Sequence, residues 1–247
     1  MTELVHYQVV AGVGTITLDS PHNRNALSRQ LVAELFEHLG TAATDDSRVV
    51  VIRSADRVFC SGADLSEAAG GGMEEGARAL VEMQRLIVTH PKPVVARLTG
   101  PVRAGGLGIV AASDVVICGE DVTFAFTESR LGLAPAVISL TVLPRLTSRA
   151  AADTFLSGRT FDAVEAAAMG LVTRTVADAN VDDEIAQVCA DLLQAHPQGL
   201  RETKSLLARD LIARIDAQAD DMAVLSTHLF ASEGAREAMT AFLSRKK

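Results

Sequence analysis

Aromatic residues and cysteines are scarce in this sequence of 247 residues. It contains no tryptophan, one tyrosine and three cysteines, and Phe, Trp and Tyr together make up 4% of the chain. Cys60, Cys118 and Cys189 are odd in number, far apart and set among apolar residues, a pattern typical of buried, reduced thiols. The six histidines are scattered without the spacing of metal ligands. The sequence therefore predicts neither a disulfide framework nor a metal site.

Basic clusters and long apolar runs are also missing. Lysines and arginines do not run together before residues 245–247, and the net charge is −8, which argues against a nucleic-acid-binding surface. No apolar stretch approaches the length of a membrane span, and residues 1–4 lack the basic and apolar pattern of a targeting segment. We therefore expect a soluble, cytoplasmic protein that binds neither nucleic acid nor a membrane. With 48% hydrophobic residues, the chain can bury one large core.

Two glycine-bearing turns follow strand-like runs and form the most informative part of the sequence. The first, residues 59–65 (FCSGADL), comes after the apolar run 49–52, and the second, residues 104–108 (AGGLG), comes after the apolar run 94–96. Gly62 permits backbone torsions closed to other residues, so that the amides that follow it can point outward together. Two such turns can supply two converging N–H donors, the minimum for an oxyanion hole.

The periodicity before Pro135 alternates between strand and helix, which predicts a largely parallel sheet joined by right-handed crossovers. The first two strands are expected to form a hairpin. The glycine-rich segment 68–72 predicts a flexible loop beside the turns, suited to act as a lid. The predicted strands are 4–10, 13–19, 49–54, 94–98, 115–118 and 122–125, and the predicted helices run from 27 to about 45, from 75 to 90 and from about 105 to 112.

After Pro135 the pattern becomes almost wholly helical. Apolar residues share one face within 181–193 and again within 222–229. These helices carry more apolar surface than one small sheet needs, so we expect an oligomer surface, although the helices could instead pack on one another. The predicted division is a core over residues 1–195 and a C-terminal helical oligomerisation region over residues 196–247.

Four segments, in order and at similar separations, resemble the crotonase (enoyl-CoA hydratase/isomerase) superfamily over nearly the whole chain. Residues 23–28 (NRNALS) are similar to its N-terminal signature, residues 59–65 to its first turn and residues 100–114 to its glycine-rich oxyanion segment. Residues 156–172 are similar to its late Gly-Arg, Ala-x-Glu-Ala and Gly-Leu-Val pattern. The resemblance implies an α/β fold of stacked ββα units followed by a helical C-terminal trimerisation region, assembled as a homotrimer or a dimer of trimers.

The resemblance also implies an acyl-CoA thioester substrate. Because the coenzyme A enters as part of that substrate, no separate cofactor is expected. The two oxyanion donors of the family fall on the backbone amides of Ala63 and Gly105. Such fixed N–H groups suit the negative charge that develops on the oxygen of a thioester enolate. The substrate and coenzyme contacts implied by the resemblance are Ala26, Leu27, Gly62, Ala63, Asp64, Leu65, Gly105 and Gly106.

The carboxylates of the family decide which reaction the resemblance implies. Hydration of an enoyl thioester uses two glutamates, one to activate water and one to protonate the α-carbon. Counting from Gly100, the first position falls on Gly108 and the second on Glu128, so one carboxylate is present and one is replaced. A single carboxylate can move a proton between the α- and γ-carbons of a 3-enoyl thioester, which favours isomerisation. Hydration stays open if Glu128 performs both steps on a bound water, or if a second acid is supplied by Glu74, Glu75 or Glu82.

Other interpretations of these residues also stay open. The same oxyanion hole would serve a thioester hydrolase or an enzyme that cleaves a C–C bond, and Gly108 would suit a non-catalytic acyl-CoA-binding protein. Glu128 could instead stabilise only a helix N-terminus. Arg103 could pair with Glu128 or with a carboxylate on the acyl chain, or it could face solvent or a subunit interface. Lys204 is expected to be solvated.

Overall fold

A computed structural model describes residues 2–68 and 72–244 of the chain. Residues 69–71 of the glycine-rich segment lie outside the described residues, as do residue 1 and residues 245–247, so the lid stays a prediction. The strands are β1 (Val5–Val10), β2 (Val13–Leu18), β3 (Val49–Ser54), β4 (Val94–Leu98), β5 (Val102–Arg103), β6 (Val115–Gly119), β7 (Thr123–Ala125), β8 (Thr160–Asp162) and β9 (Arg174–Val176). The α-helices are α1 (Arg29–Thr44), α2 (Leu65–Ala68), α3 (Met73–Thr89), α4 (Gly106–Ala112), α5 (Ala136–Val142), α6 (Ser148–Ser157), α7 (Ala163–Met169), α8 (Val181–Gln194), α9 (Pro197–Ala231) and α10 (Glu233–Ser244).

Six strands form the main sheet in the order β1-β2-β3-β4-β6-β9. β1 and β2 form the predicted antiparallel hairpin, and all the other neighbours in this sheet are parallel. The sequence of β3 explains why: its first four residues, Val-Val-Val-Ile, are all buried, as expected for a parallel strand with helices on both faces. The prediction of a largely parallel sheet is therefore confirmed.

Three short strands form a second sheet in the order β5-β7-β8. β5 and β7 are parallel, whereas β7 and β8 are antiparallel. The prediction that the chain is almost wholly helical after Pro135 is wrong in two places, because β8 joins this sheet and β9 extends the main sheet beside β6. β8 and β9 have three residues each, too few to show a period of two, so the pattern gave no signal for them.

Helix α8 covers one face of the main sheet with the apolar face predicted within residues 181–193, although the periodicity did not identify the sheet as its partner. Val181, Ile185 and Val188 are buried against Val51 and Ile117 of the sheet. Helix α9, which is 35 residues long, packs along α3 and α5. Part of its surface stays apolar and exposed, and the exposed side chains are Leu206, Leu207, Val224 and Leu225.

Lys204 ties helix α9 to the core. Its side chain is only 6% exposed, its Nζ lies 2.7 Å from the carboxylate of Asp114, and it donates to the carbonyl oxygens of Ile87 and Lys92. The expectation of a solvated Lys204 is therefore wrong. A lysine on a helix usually extends its amine into water, and here the burial arises from tertiary packing that periodicity does not reveal.

Two predictions concern the chain as a whole. The boundary expected between residues 195 and 196 lies next to the start of α9. The division into a core and an oligomerisation region stays a prediction, because α9 also packs on the helices of the core. Among the described helices, none is long and apolar enough to cross a membrane.

Candidate active site

Three parallel segments lie side by side and end at one edge of the second sheet. Cys60 forms a parallel bridge with Val102 of β5, and Val102 pairs with Phe124 of β7. The amide of Arg103 donates to the carbonyl oxygen of Cys60 at 2.9 Å, which fixes the register. Parallel segments leave a sheet at the same edge, so the residues that follow this row come together. Ala63 follows Cys60 by three positions, Gly105 follows Val102 by three, and Glu128 follows Phe124 by four.

The first turn is held by the segment that contains residues 23–28. Gly62 has a φ of +95°, a conformation that residues with a Cβ rarely adopt, and its carbonyl oxygen accepts the amide of Leu27 at 2.8 Å. Asn25 is 1% exposed, accepts the amide of Ser20 on Oδ1 and donates from Nδ2 to the carbonyl oxygen of Val58. The buried asparagine therefore anchors the loop that supports the turn.

The second turn is tight on both sides of Gly105. Ala104 has a φ of +45°, which is uncommon for a residue with a Cβ. Gly106 lies against Cys60, since a Cβ built on Gly106 would lie 2.7 Å from the Cβ of Cys60. Burial raises the pKa of the Cys60 thiol to about 12. Cys60 therefore stays protonated and acts as a packing residue beneath the turn.

The two amides predicted as oxyanion donors lie on adjoining corners. A Cβ built on Gly105 would lie 3.6 Å from the nitrogen of Ala63, and one built on Gly62 would lie 3.5 Å from the nitrogen of Gly105. Within residues 2–68 and 72–244, neither amide makes a hydrogen bond, whereas the amide of Ala104 donates to the carbonyl oxygen of Ala125 at 3.1 Å. Two neighbouring unpaired N–H groups are what a carbonyl oxygen that gains charge requires.

Glu128 begins the 3-10 helix Glu128–Leu131, shortly after β7. One of its carboxylate oxygens, Oε2, is buried and has no hydrogen-bond partner among the described residues. Burial raises the pKa of Glu128 from its ordinary 4.5 to about 7, although a backbone hydrogen bond opposes the shift. Helix α10 packs against this turn, where Gly132 lies next to Gly234 and the buried Ala235. A carboxylate with a near-neutral pKa and an unpartnered oxygen is suited to take up and return a proton.

Position 108, where the resemblance implies the other carboxylate, is crowded by neighbouring side chains. A Cβ built on Gly108 would lie 3.1 Å from Cδ of Gln84 and 3.1 Å from Cγ2 of Ile138. Sequence reasoning missed Gln84, although a polar residue on the apolar face of a predicted helix is a signal that could have found it. The alternative acids of α3 are exposed, whereas Gln84 lies on the buried face of that helix. These exposed acids are Glu74, Glu75 and Glu82.

The other predicted contacts lie around the first turn. Ala26 and Leu27 are 6% and 7% exposed and lead into α1. The half-buried carboxylate of Asp64 accepts hydrogen bonds from Nδ2 of Asn23 and from the amide and hydroxyl of Ser66. Partial burial would raise the pKa of Asp64, but the hydrogen bonds from Ser66 and Asn23 outweigh it and lower the pKa. Leu65 begins α2, and its side chain lies outside the description.

Arg103 does not pair with Glu128. Its guanidinium donates to the carbonyl oxygen of Val102 at 2.9 Å and to Oγ1 of Thr123 at 2.8 Å. In the part of the chain that the structure describes, no carboxylate lies within ion-pair distance of it, and burial lowers its pKa. The hypothesis of an Arg103–Glu128 pair is therefore wrong, because the side chain turns toward the first residue of β7 and away from the end that leads to Glu128.

A cleft of about 590 Å³ opens beside the first turn. Its lining includes Asn23 and three carboxylates, those of Asp19, Asp64 and Glu67. No group of three or more His, Cys, Asp or Glu side chains among the described residues could hold a metal ion. Because like charges repel, the cleft suits neutral polar groups better than phosphates.

Known proteins are similar to this chain in both sequence and fold. The model of the family described as enoyl-CoA hydratase/isomerase matches residues 8–247. The crystal structure of an enoyl-CoA hydratase from Mycobacterium avium is 43% identical with a TM-score of 0.93, and the match covers 99% of this chain and 98% of that chain. A "Probable enoyl-CoA hydratase" of Rhodobacter capsulatus is 30% identical over 246 residues, 98% of this chain and 95% of that protein. "Enoyl-CoA delta isomerase 2" of Rattus norvegicus is 29% identical over 242 residues, 95% of this chain and 62% of that protein.

Proposed function

Because this chain belongs to the enoyl-CoA hydratase/isomerase (crotonase) family and is an enzyme that acts on acyl-CoA, we propose that it shifts the double bond of a 3-enoyl-CoA thioester to the 2-position. The predicted fold class is confirmed as a mixed α/β crotonase fold with two sheets and a long C-terminal helix. The observation that carries the proposal is the state of Glu128, a half-buried residue at the edge of the sheet whose Oε2 is buried and has no hydrogen-bond partner among the described residues.

The amides of Ala63 and Gly105 are proposed to bind the thioester carbonyl oxygen. When the α-proton leaves, negative charge moves to this oxygen, and fixed N–H donors stabilise it without reorganising. The loss of one such donor costs about 2.7–4 kcal/mol in other enzymes. The proposal is supported by the adjoining positions of the two amides and by their lack of a partner among the described residues.

Glu128 is proposed to carry the proton. Its ionised carboxylate takes the proton from the α-carbon, and the electrons of that C–H bond pass to the carbonyl oxygen to give a dienolate. When the dienolate collapses, the double bond settles between the α- and β-carbons and the γ-carbon takes the proton back from Glu128. One C–H bond breaks and one forms, so no further reactant is needed. A pKa of about 7 lets Glu128 populate both protonation states near neutral pH.

Hydration of a 2-enoyl thioester is the second candidate, because the family and several relatives are named for hydration. It would require Glu128 to activate a bound water and then to return the proton to the α-carbon. The absence of a side chain at Gly108 favours isomerisation, since hydration normally uses a second acid–base group. The name of the rat relative, a delta isomerase, is consistent with this order of preference.

We further propose that the chain assembles as a homotrimer or a dimer of trimers. The support is the exposed apolar surface of α9, which includes Leu206 and Leu207 at 64% and 81% exposure. The expected location in the cytoplasm likewise stays a prediction.

Product analysis tests the proposed function. The protein is incubated separately with 2-enoyl, 3-enoyl and 3-oxoacyl thioesters, and the products are identified by mass spectrometry and NMR. We expect a shifted double bond from the 3-enoyl substrate and no turnover by Glu128→Gln, with Glu202→Gln, an exposed glutamate of α9, as the matched control. A water adduct as the main product would favour the hydratase candidate. Free acid, C–C cleavage or mere binding would refute both candidates.

A further inference from the structure

Gln84 is fully buried in α3, and every polar atom of its amide has a partner. Nε2 donates to the carbonyl oxygens of Leu80 at 3.0 Å and Val137 at 3.3 Å. Oε1 accepts the hydroxyl of Thr141 at 2.6 Å, and Thr141 is fully buried as well. Both amide hydrogens are therefore engaged within the protein. This side chain is built into the core and offers no free donor to a substrate.

The Gln84 side chain occupies the space into which a side chain at position 108 would project. A Cβ on Gly108 would lie 3.1 Å from Cδ and 3.3 Å from Cγ of Gln84, and 3.1 Å from Cγ2 of Ile138. Gly108 follows Gly105 by three residues, and its amide donates to the carbonyl oxygen of Gly105 at 3.0 Å. Residues three apart lie on the same face of a helix, about 4.5 Å apart along its axis. Position 108 therefore faces the site one turn beyond the oxyanion corner.

A side chain or a water next to Gly108 would compete with Gln84 and Ile138 for this space. A carboxylate at position 108 would press its Cβ against the satisfied amide of Gln84 and the methyl group of Ile138, and its charge would lose solvation in this buried region. Hydration adds the hydroxyl of water to the β-carbon and its proton to the α-carbon, so it needs room for both a water and the group that positions it. Proton transfer between the α- and γ-carbons needs neither.

We propose that Gln84 is a specificity-determining residue. By filling the space of a second acid–base carboxylate beside Gly108, it restricts the enzyme to chemistry that one carboxylate can perform. This inference rests on the proposed function. It acts through volume and packing, because every polar atom of the Gln84 amide is engaged within the protein.

Reaction specificity is tested with Gly108→Glu, Gln84→Ala and the double variant. The rates of hydration of a 2-enoyl thioester and isomerisation of a 3-enoyl thioester are measured for each full-length protein. We expect the ratio of hydration to isomerisation to rise at least about tenfold only in the double variant, where space and carboxylate are both present. An equal rise with Gly108→Glu alone would overturn the proposal. So would a folded double variant that isomerises without any change in the ratio.

A measurement of Tm tests the proposal if the double variant does not fold or loses both activities. Gly108→Ala adds one carbon, which should lower Tm by about 2–6 °C through overpacking against Gln84 and Ile138. In a Gln84→Ala background the same change should lower Tm by less than half as much, because the neighbour has been removed. Equal losses in the two backgrounds would overturn the proposal.

The wild-type protein separates this inference from the proposed function. We expect isomerisation to exceed hydration by at least about 100-fold, since one acid–base group contributes about 10²–10⁴ in rate. If the wild type isomerises through Glu128 but hydrates equally fast, only the inference about Gln84 fails. If it isomerises no 3-enoyl thioester, the proposed function fails and the inference falls with it.

Discussion

Gln84 is a fully buried polar side chain and Glu128 is a half-buried one with a buried Oε2, and the two differ in their hydrogen bonding. Each polar atom of the Gln84 amide has a partner at 2.6–3.3 Å, whereas Oε2 of Glu128 has none in the described part of the chain. Buried polar groups in proteins are nearly always satisfied, and an unsatisfied one lowers stability. The difference indicates that Gln84 serves packing, while Glu128 keeps its ability to exchange a proton at a cost in stability.

The unpaired amides of the two turns are the backbone counterpart of the unpartnered Glu128 oxygen. A substitution that displaces one of them should lower kcat more than the other variants discussed below. Gly62→Ala would place a Cβ 2.9 Å from the Cβ of Ala104 at a φ of +95°. The strain should displace the amide of Ala63 and lower kcat by about 10²–10³, the usual loss for one oxyanion donor. Steady-state kinetics, with folding checked by circular dichroism, measures the change.

Gly76→Ala is the matched control for this variant. Gly76 lies in α3, and a Cβ built on it would have no neighbour within 4 Å. We expect wild-type kcat and a small gain in stability, because alanine favours helix more than glycine does. If Gly62→Ala is as active as this control, the role proposed for the first turn is wrong.

The pH dependence of activity tests whether Glu128 is the base. A base must be ionised before it accepts a proton, so kcat/KM should fall about tenfold per pH unit below the pKa of Glu128, which burial raises to about 7. Above that pH we expect a plateau until another group titrates. A profile already flat between pH 5 and 8 would contradict the assignment of Glu128 as the base.

The free energy of unfolding should also depend on pH through Glu128, but it should fall as pH rises, whereas activity should rise. The pKa of Glu128 is raised from 4.5 to about 7 on folding, so the folded protein binds more protons than the unfolded chain between these values. The contribution of Glu128 to stability is therefore lost as pH rises through this window. Compared with wild type, Glu128→Gln should gain stability from pH 4.5 to 7, by at most about 3 kcal/mol in urea unfolding. An offset that stays constant with pH would argue against the raised pKa.

The contribution of the Gln84 hydrogen bonds to stability is tested by Thr141→Val. This substitution keeps the shape of the side chain but removes the hydroxyl that Gln84 accepts at 2.6 Å. An unsatisfied buried oxygen should lower the free energy of unfolding by about 1–3 kcal/mol. Thr41→Val, at an exposed position of α1, is the control and should change stability by no more than about 0.5 kcal/mol. Equal effects would show that the Gln84 network contributes little to stability.

Arg103→Met should have the smallest effect on chemistry. The guanidinium of Arg103 is engaged with Val102 and Thr123, and the described residues place no carboxylate beside it. Its removal should lower stability modestly and leave the midpoint of the pH–activity profile unchanged. A shift of that midpoint would mean that Arg103 influences Glu128 after all.

Most of the main sheet could be predicted from local pattern. The run Val49–Ser54 was expected as a buried strand and is one, and the hairpin and α3 lie within two residues of their predicted bounds. Long elements with a strong period leave such a signal. In the second sheet only β7 was predicted, as the strand 122–125, whereas β5 and β8, with two and three residues, left no signal.

Some residues of the candidate site could likewise be predicted from the sequence and others could not. The glycine-bearing turns could be picked out from the sequence because their motifs are local, and Glu128 was proposed from the family resemblance. The partners of Arg103, the burial of Lys204 and the side chain that fills the space beside Gly108 depend on contacts between distant elements, such as Gln84 with Thr141, 57 residues apart. Periodicity places a residue on a face of its own helix but does not say which other element that face meets.

Deuterium exchange at the α-carbon is the most direct test of the proposal that Glu128 moves the proton. An acyl-CoA thioester is incubated in D₂O with wild type or Glu128→Gln, and exchange is followed by NMR while calorimetry measures thioester binding. We predict rapid exchange by the wild type and a loss of about 10²–10⁴ in Glu128→Gln, with an unchanged Kd. Exchange at the wild-type rate by Glu128→Gln would contradict the central claim.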